Sequence, residues 1–123
     1  MKKVFMLLVA GLIILTAAAA CGKADFVGSE TANYDMWQVE YSTLNTTKTH
    51  EMMLKAGTEM DVVLSNQAGE LDVLVTDGQD NTLYEGNNVG AEIFSISIPA
   101  DGNYHFSITG VGAQGSVSFT PAE

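Results

Sequence analysis

Arginine does not occur in this chain, and its five basic residues, all lysine, stand against fifteen acidic ones. Nucleic-acid binding needs clustered Lys and Arg to displace counterions, so that class of function is excluded. The same shortage argues against a domain lying flat on anionic lipid. Cysteine occurs once, at Cys21, so no disulfide within the chain can brace the fold and packing alone must hold it. No long stretch repeats apolar residues at helical spacing, which removes helical bundles. No nucleophile elbow or comparable catalytic signature is present either.

What is present starts at Met1. Met1-Lys2-Lys3 is a short positive lead, residues 4–15 are apolar with only Gly11 interrupting, and Thr16 with four alanines forms a small-residue exit to Cys21-Gly22. Those three parts make a secretory signal peptide over residues 1–20. The apolar run is shorter than the roughly 20 residues of a membrane-spanning helix. Ala18-Ala19-Ala20-Cys21 resembles the lipobox of bacterial lipoproteins, although that family usually has Leu where Ala18 stands. The resemblance implies acylation of Cys21, which would become the new N-terminus and anchor an extracytoplasmic protein to the cell membrane. Ala18-x-Ala20 also fits an ordinary signal-peptidase cut, which would release a soluble protein starting at Cys21. A single unpaired thiol in an exported domain needs a purpose, and acylation supplies one.

Without residues 1–20, three lysines remain against fifteen acids, a formal charge of −12. About 100 residues are enough for one modest core. Residues 21–33 are small and polar without periodicity and read as a flexible tether. From Tyr34 a two-residue period takes over. Trp37, Val39 and Tyr41 share a face; so do Met60, Val62 and Leu64; Leu71, Val73 and Val75; Phe94, Ile96 and Ile98; Tyr104, Phe106 and Ile108; and Val117 with Phe119. Residues 49–56 have helix-favouring composition, yet their length and neighbours predict a strand with Met52 and Leu54 inward. Residues 66–69, 77–81 and 110–115 read as turns. Pro99-Ala100-Asp101-Gly102 reads as the turn of a hairpin joining the Phe94 and Tyr104 strands. The expected fold is all-β, a small jelly-roll-like antiparallel β-sandwich of seven or eight strands over residues 34–120, with 121–123 as a tail.

Three stretches taken in order carry a further likeness. Leu54-Lys55-Ala56-Gly57-Thr58, then Gly69-Glu70-Leu71-Asp72-Val73-Leu74-Val75, then Gly102-Asn103-Tyr104-His105-Phe106-Ser107-Ile108-Thr109-Gly110 resemble the bacterial pre-peptidase C-terminal domain. Glu70 replaces that family's usual Asp, and no peptidase precedes the module in this chain. The resemblance covers roughly residues 51–119 and implies a jelly-roll-like fold with an accessory or binding role. It carries no catalytic residue across.

Chemistry-bearing residues are few. Asp77, Asp80 and Asn81, with Glu85, could offer oxygens to calcium, but Asp, Gly and Asn are also what any hairpin turn uses. His50, Met52 and Met53 suggest a soft metal such as Cu(I), although successive strand residues point to opposite faces. His50 or His105 could enter a Ser-His-Asp site. Sugar stacking would use Trp37, Tyr34, Tyr41 or Tyr84, of which Tyr34 and Tyr84 are expected nearest the surface. The reading is therefore a non-catalytic binding or interaction module without a cofactor. Its partner would be an envelope protein or glycan, and the alternatives are a purely structural lipoprotein or a carbohydrate-binding module.

Overall fold

Alternation of apolar and polar side chains needs strands to use it, and strands are what form. In the computed structural model, which describes residues 24–122, these are β1 (Phe26–Asn33), β2 (Met36–Leu44), β3 (Thr47–Leu54), β4 (Glu59–Thr76), β5 (Thr82–Gly86), β6 (Ala91–Ser97) and β7 (Gly102–Pro121). Every pairing is antiparallel. The described residues contain no helix. Residues 1–20, with the expected signal helix, and the acylation candidate Cys21 lie outside them.

Two strands are long enough to serve two layers. β4 and β7 pair along almost their whole length, from Met60↔Pro121 to Thr76↔His105. One layer takes the C-terminal half of β7 and the N-terminal half of β4, flanked by β2, β1 and β6. The other takes the remaining halves, flanked by β3 and β5. The layers close face to face on one core: Phe106 from one half of β7 meets Phe119 from the other edge-on, ring centroids 5.0 Å apart. The inward sets expected from the sequence are all buried except Phe94, which is half-buried against the core. The result is the all-β antiparallel sandwich, with seven strands.

Several expectations are corrected. Residues 26–33 are an edge strand and no tether; β1 is recruited by backbone pairing to β2 and buries little apolar surface, so its sequence shows no alternation. Residues 66–69 and 110–115 are bends inside continuous strands. Bulges around Ala68, with Gly69 at φ 71° and Gly112 at φ 56°, fold β4 and β7 over without ending them. The Phe94 and Tyr104 strands do not pair: β6 pairs with β4, while the start of β7 pairs with β3 and β4. Ile98 gives its backbone groups to the β3–β4 connection, Ile98 N to Thr58 O and Gly57 N to Ile98 O. A crossing between layers aims both apolar faces at one core, as a hairpin does, and alternation cannot separate the two. The strand expected over 49–56 starts and ends two residues earlier, with Met52 and Leu54 buried as expected. Pro121, expected in the tail, closes β7.

Candidate functional site

The outer face of the first layer is built from the residues that alternate with its core. Directly opposed residues share a face, so the pairs Thr31↔Gln38 and Ser29↔Glu40 continue across β2 into Gln38↔Ser118 and Glu40↔Ser116. Short hydroxyl side chains on β1 and β7 leave a trough over β2. It consists of two adjoining depressions of about 370 and 340 Å³ that share Ser29, Glu40 and Ser116. Gln38 Nε2 donates to Ser118 Oγ at 3.3 Å. Gln67 and Gln114 line one end, and Glu40 is the one charged residue among the lining. Gly28 sets the trough's edge: a side chain there would place Cβ 2.0 Å from the Glu40 carbonyl oxygen, so only glycine lets β1 close on β2 at its bulge. Hydroxyls and amides of this kind hold polyhydroxylated ligands by exchanging hydrogen bonds with them. Nothing in the trough can act as an acid–base pair.

Beneath that face, β1 is fastened across to β3. Trp37 is fully buried and its indole Nε1 donates to Glu30 Oε2 at 2.6 Å. Lys48 Nζ lies 3.0 Å from Glu30 Oε1 and 4.2 Å from the centroid of the Phe26 ring. His50 Nε2 donates to the Asn33 carbonyl at 2.7 Å, and its ring sits 5.7 Å from Trp37. Burial alone would raise the Glu30 carboxyl, but the indole donor, Lys48 and His50 outweigh it and hold the group below the usual carboxylate value.

A carboxylate whose folded value is depressed stabilises the fold above its unfolded value, and that stability is lost as pH falls through the folded one. Thermal unfolding followed from pH 7 to pH 3 is therefore expected to show Tm dropping below pH 4.5, the ordinary glutamate value. In Glu30→Gln that drop should be shallower, with a lower Tm at pH 7. Parallel profiles for the two proteins would show that Glu30 is not a fastener.

The sequence candidates fall elsewhere. Asp77 spends its carboxylate on its own turn, accepting from Gln79 N, Asn81 N and Asn81 Nδ2 at 2.8, 2.9 and 3.1 Å. The Asn81 amide leads the donors that lower its pKa. Asp80 occupies the left-handed region at φ 65° in the same turn, and Glu85 lies beyond it on β5. Among the described residues no three His, Cys, Asp or Glu side chains gather as metal ligands. Met52 is buried and Met53 exposed on opposite faces, so the two do not converge with His50. His105 pairs with Glu51 at 3.0 Å. It faces away from His50, and neither histidine is engaged by a serine.

Trp37 and Tyr41 belong to the core; Tyr41 bonds Asn66 Oδ1 at 3.2 Å, and burial pushes its pKa up to about 12. Tyr84, expected near the surface, is half-buried against Phe94 at 4.6 Å, with its hydroxyl donating to Glu92 at 3.3 Å. Tyr34 stands 75% exposed in the β1–β2 turn, just beyond the Thr31–Gln38 end of the trough. Of the trough's lining, sequence reasoning singled out Tyr41 alone as a binding candidate, and its ring belongs to the core; the polar residues that form the floor and rim were not singled out. The signal that could have found them is the spacing Gln38-x-Glu40 and Ser116-x-Ser118 on strands whose other faces are apolar.

No protein-family model matches this chain, and no curated protein matches it. Solved structures with a related outline include a Glycosylation Associate Protein complex from Streptococcus agalactiae (TM-score 0.42, 10% identity, 81% of this chain). This chain spans only 41% of that one. A periplasmic inhibitor of g-type lysozyme from Aeromonas hydrophila gives TM-score 0.46 at 16% identity, covering 79% of this chain and 88% of the other. A mutant of a carbohydrate binding module family 29 gives TM-score 0.40 at 8% identity, covering 76% and 72%. At these identities and scores, no ligand, partner or activity carries over to this chain.

Proposed function

We propose that this protein is a non-catalytic binding module held outside the cytoplasmic membrane by lipid on Cys21, and that its ligand is a neutral, polyhydroxylated envelope polymer. The observation that supports the ligand class is the trough of Ser29, Thr31, Gln38, Glu40, Ser116 and Ser118. Its groups donate and accept hydrogen bonds, and its lining contains no cation to attract an anionic polymer. The lipobox-like Ala18-Ala19-Ala20-Cys21 supports the anchor, and the likeness to pre-peptidase C-terminal domains supports the accessory role. The trough needs no cofactor to bind in this way.

Two measurements test the two halves. Intact mass of the protein from the membrane fraction should show diacylated Cys21, and Cys21→Ala should release it; a free thiol on membrane-bound wild type removes the anchor. Calorimetric titration with fragments of neutral envelope glycans should show binding. Gln38→Ala with Ser118→Ala should weaken it about tenfold, since two hydrogen bonds at roughly 0.5–1.5 kcal/mol each approach the 1.4 kcal/mol of a decade. Affinity untouched by the double variant, or seen only for anionic polymers, would refute the ligand assignment.

A further inference from the structure

We infer that the bend end of the sandwich is a membrane-facing surface, seated on the bilayer that holds the lipid of Cys21, so that the strands stand upright on the membrane. This rests on the anchoring reading above and adds an orientation and a stand-off to it. The first observation is where the folded domain begins. With a tether over 21–33, thirteen residues at about 3.5 Å each would let the domain drift some 45 Å from its anchor. β1 instead begins at Phe26, five residues after Cys21, so the reach is at most about 17 Å. Whatever lies beside Phe26 is held close to the headgroups.

The second observation is what lies there. Phe26 pairs with Leu44, and Leu44 with Ala113 in the bend of β7. Asn45 N donates to Asp25 O at 2.7 Å, Gly112 N to Asn45 Oδ1 at 2.6 Å, and Gly110 N to Thr46 O at 3.0 Å. The bend of β4 joins them through Asn66↔Gly115, and the β5–β6 loop through Asn66 N to Gly90 O at 3.0 Å. Four segments thus gather at the anchored end: 42–46, 66–69, 87–90 and 110–115.

The third observation is charge. Those four segments contain no charged residue at all, in a chain with fifteen acids. The turns at the opposite end carry Asp35, Lys55, Asp77, Asp80 and Asp101. Anionic leaflets repel carboxylates within a Debye length, so an acidic protein can approach one only by an end stripped of them. Asp25, Glu70 and Asp72 border the uncharged end, the last with its carboxylate accepting from Asn88 N at 2.8 Å, and Val111 and Val27 stand 61% and 47% exposed there. An exposed apolar side chain beside a short lipid tether fits the headgroup boundary of a bilayer.

The test places a reporter at each end. Val111→Trp and Tyr34→Trp both change exposed positions, and the native Trp37 is fully buried and supplies a constant background. Each protein, anchored through Cys21 in vesicles containing anionic phospholipid, is exposed to brominated lipids that quench tryptophan at short range. Val111→Trp is expected to be quenched several-fold more than Tyr34→Trp. Equal quenching, or the reverse order, overturns the orientation. Intact mass reports separately on acylation. Where it shows a free thiol, the same proteins coupled through that thiol to a maleimide lipid report the orientation on their own.

Discussion

Phe106→Ala is expected to cost about 3–5 kcal/mol, the range for emptying a fully buried aromatic site. The side chain is fully buried, packs edge-on against Phe119 across the two layers, and sits on the segment of β7 that pairs with both β3 and β4. For a domain of this size, total stability is about 5–15 kcal/mol, so the variant should unfold partly or fully under mild conditions. Urea denaturation compares it with the wild type through the midpoint and slope. Ser107→Ala, one residue on and facing outward, is the control and should stay within about 0.5 kcal/mol. A loss below about 1 kcal/mol for Phe106→Ala would mean the two faces of β7 are exchanged.

Gly69→Ala should be nearly as damaging for a different reason. Gly69 holds φ at 71°, and a Cβ there would lie 2.1 Å from the carbonyl oxygen of Gly112, the facing backbone in the other bent strand. Backbone cannot swing aside as a flexible side chain can. Gly57 isolates the two contributions, because it holds φ at 88° with nothing within 4 Å of the added Cβ. Gly57→Ala should therefore cost about 1–2 kcal/mol, the penalty of a left-handed L-residue. Gly69→Ala adds the clash and should exceed about 3 kcal/mol. Equal losses in the two variants, measured by the same urea titration, would show that the bend yields and that β4 and β7 are not locked against each other there.

That bend also marks the limit of what the sequence discloses. The inward face of each strand is a local matter: Trp37, Val39 and Tyr41 alternate with Gln38, Glu40 and Ser42, and burial follows the alternation residue by residue. Whether a strand ends or folds over is decided by its partner. Asn66 to Gly69 has the composition of a turn, yet it bends without ending the strand because Gly115 and Gln114 continue the ladder alongside it and Val111 takes it up again at Glu70. β1 was invisible for a similar reason: an edge strand fastened by Glu30 and Lys48 needs backbone pairing more than apolar residues. The trough was hidden twice over. Ser and Thr are the default on a solvent face; Ser29 meets Glu40 through a hairpin whose first strand shows no alternation, and Ser116 meets it only through a pairing with the distant β7.

β7 pairs with β2, β3 and β4, and among the described residues it follows every other strand. Before it is made, neighbouring segments can offer only the β1–β2 hairpin and the pairings of β4 with β5 and β6, and neither layer has its central strand. The closure entropy of these long-range contacts falls due together, when the twenty residues of β7 arrive. Folding should thus be slow and all-or-none, and chains lacking β7 should remain unfolded and open to proteases. A polypeptide built this way is expected to offer no stable part-folded state until β7 is in place, so whatever must handle it unfolded can do so until then.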